Sequence, residues 1–463
     1  MDTDLFNPEL VPRGSKRRSG ALRQTVAPRP NLPLFFSTVV VGGLGMGLVL
    51  GLPIVDGTLS ELHLRGGLAM FIGSTTGMAG TYLALLMVVL ASRAPILERV
   101  LGQVGVIHWH KRLAPWPIVL ISAHAVFLTL AYAEAAKKGV LGEAGVIINT
   151  FPSMVTATIA LGIMVGIGVI SLRQLRERIP RESWWLLHLL MYAALILAFA
   201  HELALGPSFV GHPLARECWT IAWLLAAALV LVYRVGYPTY RSYRHRLSVV
   251  AVKAESAGVV SVILEGRHLE RLPISGGQFL EWRFLTPRMW WQAHPFTVSA
   301  LPQPPYIRLT AKGVGNFSQE LAHLKVGTKV AIEGPYGSFT ASAQRRNEVL
   351  LIAGGIGVTA VRSVLEDLPI KSRPAVVLRA SREEDLVLSD EIEKLVRHRK
   401  GTLHRLVGGR NEVSLDTIMT LVPDVAQRDV YVCGPEGFVR EASEMARRAG
   451  VADEAIHQEA YRI

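Results

Sequence analysis

Residues 110–124 read HKRLAPWPIVLISAH and residues 188–201 read HLLMYAALILAFAH. Each stretch sets a histidine at either end of an apolar run, His110 and His124 in the first, His188 and His201 in the second. An ionisable side chain inside a long apolar run is costly to hold in a bilayer, so each of the four is a candidate functional residue. Spacings of 14 and 13 residues amount to roughly 20 Å along a helix that rises 1.5 Å per residue. One histidine of each stretch therefore falls near each face of a membrane.

The two stretches sit within a series of six apolar segments, at about 33–53, 67–91, 113–134, 147–171, 184–204 and 217–236. Each is close to the ~20 residues a bilayer-spanning helix needs. The third and fifth run in the same direction, so His110 faces His188 on the inner side and His124 faces His201 on the outer side. A neutral imidazole is a good iron ligand, and two axial imidazoles leave no open coordination position, an arrangement suited to electron transfer. The pattern predicts two stacked bis-histidine haems with these four residues as metal ligands. The alternative for any one of them is a hydrogen bond to a neighbouring helix. Fourteen residues return to within about 40° of the starting face of a helix, but thirteen land about 140° away. An irregularity is therefore expected between His188 and His201, and Pro115 and Pro117 are expected to bend the third segment.

The charge distribution orients these segments. The 463 residues carry a net charge of +12, half of them are hydrophobic and 19% are charged, and the mean hydropathy is +0.32. That composition excludes a disordered polyanion binder. Residues 1–246 hold 22 Lys and Arg against 12 acids, and residues 247–463 hold 27 against 25, so +10 of the charge belongs to the apolar half. Eighteen of those 22 flank the segments on one side and four, Arg65, Lys137, Lys138 and Arg216, on the other. Basic flanks stay inside, which predicts a multi-pass plasma-membrane protein with its N-terminus and its second half in the cytoplasm. The basic edge includes Lys111, Arg112 and Arg181, placed to neutralise propionates of the inner haem, and it argues against nucleic acid as a partner. Cys218 and Cys433 are too few for a disulfide framework or a four-thiolate metal site.

Residues 1–32 are polar and basic, predicted to be disordered, and contain LVPRGS at 10–15, which matches a protease tag-cleavage sequence and carries no fold meaning. A six-helix domain is expected over 33–242. From 243 to 345, short β-branched runs at Leu247–Val252, Val259–Leu264, Ile307–Thr310 and Lys329–Ile332 predict a small antiparallel barrel. From 346 to 463 the order changes to strand, Gly-rich turn, helix and strand, which predicts a doubly wound α/β domain.

Gly354-Gly355-Ile356-Gly357-Val358-Thr359 lies between a predicted strand and helix, where its amides can approach a pyrophosphate. Cys433-Gly434-Pro435 ends another strand on the edge of the sheet where ligands bind. Read in order, HPFTVS at 294–299, KGVGNFS at 312–318, GPYGSF at 334–339, AGGIGVT at 353–359 and VCGP at 432–435 resemble the ferredoxin–NADP reductase family. Joined to six helices bearing the four histidines, the whole resembles the ferric reductase and NADPH oxidase superfamily in a compact bacterial-type form.

By that resemblance His294, Pro295, Phe296, Thr297 and Ser299 would line FAD, with Lys312, Gly315 and Ser318 at its pyrophosphate. Gly354, Gly355, Gly357 and Thr359 would hold the pyrophosphate of NADPH or NADH, with Gly434 and Pro435 alongside. Tyr461 would stack on the flavin and gate hydride transfer, unless it only packs the last strand, and Cys433 would abut the nicotinamide. Arg379, Arg382 and Arg410 follow predicted strands, where a guanidinium can pair with a 2′-phosphate. HPFTVS stands where soluble relatives carry RxYS, so a guanidinium contact to flavin phosphate is missing. The implied activity is that of a flavocytochrome b, an oxidoreductase that carries electrons from NADPH through FAD and two b-type haems across the membrane. Dioxygen is the expected acceptor, giving superoxide; a ferric chelate or a membrane or periplasmic partner protein is the alternative.

Overall fold

The computed structural model describes residues 32–409 and 415–461. It divides into a helical unit ending at Gly236 and a second unit beginning at Tyr237. Residues 10–15 and Arg410 lie outside the described residues.

The helical unit contains α1 (Leu32–Val55), α2 (Gly67–Ala91), α3 (Pro95–Leu113), α4 (Pro115–Ala136), α5 (Val140–Thr150), α6 (Met154–Ile170), the single turn α7 (Arg173–Arg176), α8 (Arg181–Leu205) and α9 (Pro213–Val230). Among the described residues five helical runs are long and apolar enough to cross a membrane, or six if α5 and α6 count as one. Those two helices meet at 115°, so the fourth expected span is broken rather than straight. Phe151-Pro152-Ser153 separates them, with Ser153 at φ +61°. Proline removes a helical N–H, and a left-handed residue cannot continue a right-handed helix.

The histidine helices also differ from the expectation. Helix α8 runs unbroken from Arg181 to Leu205, with no irregularity between His188 and His201. In the third segment, where a bend is expected at Pro115 and Pro117, α3 carrying His110 passes into α4 carrying His124 at Ala114. Pro115 and Pro117 cannot donate to the carbonyls of Lys111 and Leu113, so two rungs of the ladder are missing there, while Ala114 itself keeps right-handed helical angles. Helix α4 packs along α2, where glycine permits close approach: a Cβ at Gly77 would press into the His124 ring. Ala160, Met164 and Ala194 form the small core between α6 and α8.

The second unit opens with α10 (Tyr237–His245), which follows a π-helical turn at Leu231–Gly236. Strands β1 (Leu247–Ser256), β2 (Val259–Glu265), β3 (Phe279–Phe284), β4 (His294–Gln303), β5 (Tyr306–Lys312) and β6 (Lys329–Tyr336) close in the order β1-β2-β5-β4-β3-β6, with the short helix α11 (Asn316–Glu320) between β5 and β6. Trp282, Phe284, Leu264, Leu280, Ile307 and Leu309 fill this barrel.

A parallel sheet follows, in the order β11-β10-β7-β8-β9. Its strands are β7 (Val349–Gly354), β8 (Ala375–Ala380), β9 (Thr402–Val407), β10 (Asp429–Pro435) and β11 (Ile456–Tyr461). Helices α12 (Val358–Asp367) and α13 (Ser389–His398) cover one face; α14 (Leu415–Leu421) and α15 (Glu436–Arg448) belong to the other. Continuous apolar runs such as Val349–Ile352 and Val430–Val432 suit strands buried on both faces. The chain order reverses between β7 and β10, which opens a crevice at their C-terminal ends, the customary ligand edge of such sheets.

Candidate functional site

In the helical unit the four histidines form two pairs. His110 and His188 have ring centroids 6.3 Å apart, and so do His124 and His201. Two metal–imidazole bonds of about 2 Å, each extended by the roughly 1.2 Å from ring nitrogen to ring centre, span about 6.4 Å, close to the separation seen. Among the described residues the buried Nδ1 atoms of His188 and His201 have no hydrogen-bond partner, and the Met87 backbone stands beside His110. The Nδ1 of His124 lies 2.8 Å from the Gly73 carbonyl, which leaves its Nε2 as the nitrogen available to a metal. The residues fit a metal held between each pair.

Other side chains support the pairs. The Trp184 ring stacks on His188 at 4.8 Å, and the Arg176 guanidinium lies 4.6 Å over Trp184, which brings a cation towards the His110–His188 pair. Next in the chain to His201 stands Glu202, whose carboxylate accepts from the indole N–H groups of Trp219 at 2.9 Å and Trp223 at 3.3 Å. Sequence reading missed it, although an acid inside the apolar run FAHELAL was the available signal. Beyond Glu202, Asp56 accepts from the Thr58 hydroxyl and amide and, on its other oxygen, from Ser208 at 2.6 Å. That carboxylate fastens the loop after α1 to the loop after α8.

In the second unit the crevice between β7 and β10 gathers several expected residues. Gly357 packs against the Cys433 carbonyl so closely that a Cβ would not fit, and Gly355 adopts φ +54°. The Tyr461 hydroxyl donates to the Gly354 carbonyl at 2.6 Å and accepts from the Gly357 N–H at 3.1 Å. Tyr461 is thus fastened to the glycine turn. Thr359 opens α12, its hydroxyl donating to the Ile356 carbonyl. The Phe438 ring lies against Gly354 and Gly434, with Pro435 paired to Tyr461 across β10 and β11. Cys433 is buried, and burial beside Glu459 pushes its thiol well above the ordinary range. It therefore offers a neutral contact surface rather than a thiolate. Glu459, opposite Cys433 in the ladder, is raised by burial to about 7. Its depth depends on β11 pairing with β10, which no local pattern announces.

At the barrel, His294 stacks on Phe317 at 3.9 Å, and Phe296 lies 6.2 Å from the same ring. Pro295 is exposed and Thr297 half-buried on the same strand. Ser299 is fully buried, its hydroxyl engaged by Arg308 and Thr310. Ser318 shapes its own turn, accepting from the Val314 and Gly315 amides at 3.0 Å. Lys312 lies 3.8 Å from Asp385, and Arg382 pairs with Glu384 at 2.7 Å and Asp385 at 3.6 Å. Arg379 lines a small cleft with Gly355 and Asp385 at the ends of β7 and β8.

Comparison with known families matches residues 76–199 to the ferric reductase like transmembrane component, 245–340 to an FAD-binding domain and 351–444 to an oxidoreductase NAD-binding domain. The order is that of a ferric reductase/NADPH oxidase-type fusion. Relatives of this fusion include NADH-cytochrome b5 reductase 2 of Aspergillus fumigatus, 27% identical over 168 residues, covering 32% of the chain and 52% of the relative. The flavohemoprotein of Bacillus subtilis is 24% identical over 249 residues, 49% of the chain and 60% of the relative. The fusion thus spans about half the length of the curated relatives it matches. Among solved structures, the flavohem-like FAD/NAD-binding domain of nitric oxide dioxygenase from Vibrio cholerae is 23% identical, with a TM-score of 0.41, covering 47% of the fusion and 99% of that chain.

Proposed function

We propose that the chain is a membrane NAD(P)H oxidase of the flavocytochrome b type, moving electrons from NADPH by way of FAD and two b-type haems to dioxygen, with superoxide as product. The observation that carries this reading is the equal 6.3 Å separation of the two histidine pairs. In this reading His110 and His188 hold the inner haem, and His124 and His201 the outer one. Domain limits of 33–242, 243–345 and 346–463 and a cytoplasmic flavoprotein half belong to the same proposal.

When bound, FAD accepts two electrons as hydride from NAD(P)H and yields them singly to haem iron. The chain's part is to bind and orient. Gly354, Gly355, Gly357 and Thr359 present a turn and helix N-terminus to a pyrophosphate, and Cys433, neutral and buried, forms an uncharged floor beside it. His294, Phe296 and Phe317 provide an aromatic surface at the barrel, and Lys312 a cation. Arg176, held over Trp184, supplies positive charge near the inner pair, where Lys111, Arg112 and Arg181 add to it. On the outer side Asp56 ties two loops together, an arrangement suited to a small acceptor such as dioxygen. Reduction of a ferric chelate is the second reading, favoured by the match of 76–199 to ferric reductases.

The test is the detergent-purified chain with FAD and NADPH, following superoxide release with and without ferric citrate. Superoxide formation suppressed by His124→Ala supports the oxidase. Rapid ferric reduction without oxygen consumption replaces dioxygen by the chelate.

A further inference from the structure

Helix α12 begins at the nucleotide turn and, within its ten residues, is fastened to the flavin barrel at successive points. Ser363 accepts the Gly277 N–H at 2.9 Å, Asp367 the Gly276 N–H at 3.0 Å and Glu366 the Leu301 N–H at 2.8 Å. Arg362, with no exposed surface, pairs with Glu366 and donates its Nε to Glu391 of α13 at 2.9 Å. Glu391 in turn takes both terminal nitrogens of Arg308 on β5, at 2.7 and 2.8 Å. Arg308 reaches back through its Nε to the Ser299 hydroxyl at 3.0 Å, which also accepts from Thr310 at 2.8 Å. Ser299 belongs to HPFTVS, and Thr359, one turn before Arg362, belongs to the nucleotide turn.

We propose that Arg308, Glu391, Arg362 and Glu366 are positioning residues that fix the nucleotide turn at 354–359 relative to the HPFTVS strand, so that bound nicotinamide meets flavin at hydride-transfer distance. The inference rests on the reading that NAD(P)H reduces FAD in this unit. Two guanidiniums and two carboxylates make the cluster neutral. Burial alone would raise the Glu391 carboxyl, but Arg308 and Arg362 hold it below its ordinary range. Buried ion pairs are costly to desolvate and add little net stability, whereas bidentate guanidinium–carboxylate geometry fixes separation and angle. Apolar side chains of equal volume would fill the seam without that directional constraint, and a shift of 1 Å in reacting groups can slow a reaction about 100-fold.

The decisive variant is Arg308→Met/Glu391→Met, which leaves Arg362 paired with Glu366 and keeps the seam neutral; Glu391→Gln is its companion. The full-length protein loaded with FAD is mixed rapidly with NADPH. Flavin bleaching is followed at increasing NADPH, and amide exchange over 358–367 is measured without nucleotide. The expected result for the double variant is retained FAD, a half-saturating NADPH concentration within about threefold of the parent, at least tenfold slower bleaching at saturation, and faster exchange in 358–367. Glu391→Gln, which strands two buried guanidiniums on one carboxylate, should lower the melting temperature more than the double variant does. Parent-like bleaching and exchange in the double variant would reduce the cluster to filler and overturn the proposal. Absence of NADPH-dependent bleaching in the parent itself would instead overturn the underlying reading, and the proposal with it.

Discussion

Replacing Tyr461 by Phe tests whether the last described strand competes with the dinucleotide. The ring and its packing are kept, but the hydroxyl that accepts from Gly357 at 3.1 Å and donates to Gly354 at 2.6 Å is removed. Each such bond contributes about 0.5–1.5 kcal/mol net of water. If the pyrophosphate takes the Gly357 N–H, binding in the parent must first break that contact, and in the variant it need not. With about 1.4 kcal/mol per tenfold in affinity, the dissociation constant for NADP+ should fall about three- to tenfold in Tyr461→Phe. The melting temperature without nucleotide should drop slightly, because the turn loses its tether. Titration calorimetry on the full-length protein measures both partners directly. Unchanged or weaker NADP+ binding with the FAD content intact would show that the hydroxyl and the dinucleotide do not share the glycine turn.

Further substitutions probe the other features. Glu459 binds its proton more tightly in the folded chain, up to about 7, so its contribution should erode as pH rises from about 4.5 through about 7; Glu459→Gln should flatten that part of the curve of melting temperature against pH. Gly77→Leu, which drives a side chain into His124, should halve the haem content while NADPH still bleaches flavin, as measured by pyridine haemochrome and rapid mixing. Glu202→Leu strands two indole N–H groups and should cost about 1–3 kcal/mol, seen as a lowered melting temperature in detergent that Glu202→Gln largely restores.

The difference between legible and hidden features has physical causes. The histidine spacing, the apolar segments and the glycine turn are local in the chain, and periodicity or composition exposes them. The break between α5 and α6 was invisible to hydropathy because Phe151-Pro152-Ser153 interrupts geometry without interrupting apolar character. The irregularity expected in α8 is absent, whereas α3 gives way to α4 at Ala114, beside the two prolines of the third segment; helical periodicity says that two faces must be reconciled but not which helix yields. Strand β3, FLEWRF, places charges on its outer face, and β9 is a half-exposed edge, so neither reads as a buried run. Glu459 beside Cys433, and Arg308 beside Glu391 more than eighty positions away, are products of sheet order and domain packing, which no local pattern encodes.

The most direct test of the central claim is the haem content of the purified chain and of its four histidine-to-alanine variants. The paired geometry predicts two b-type haems per chain, one after loss of either member of a pair, and none when His110 and His124 are replaced together. A parent without haem absorbance, or variants that keep both haems, would contradict it.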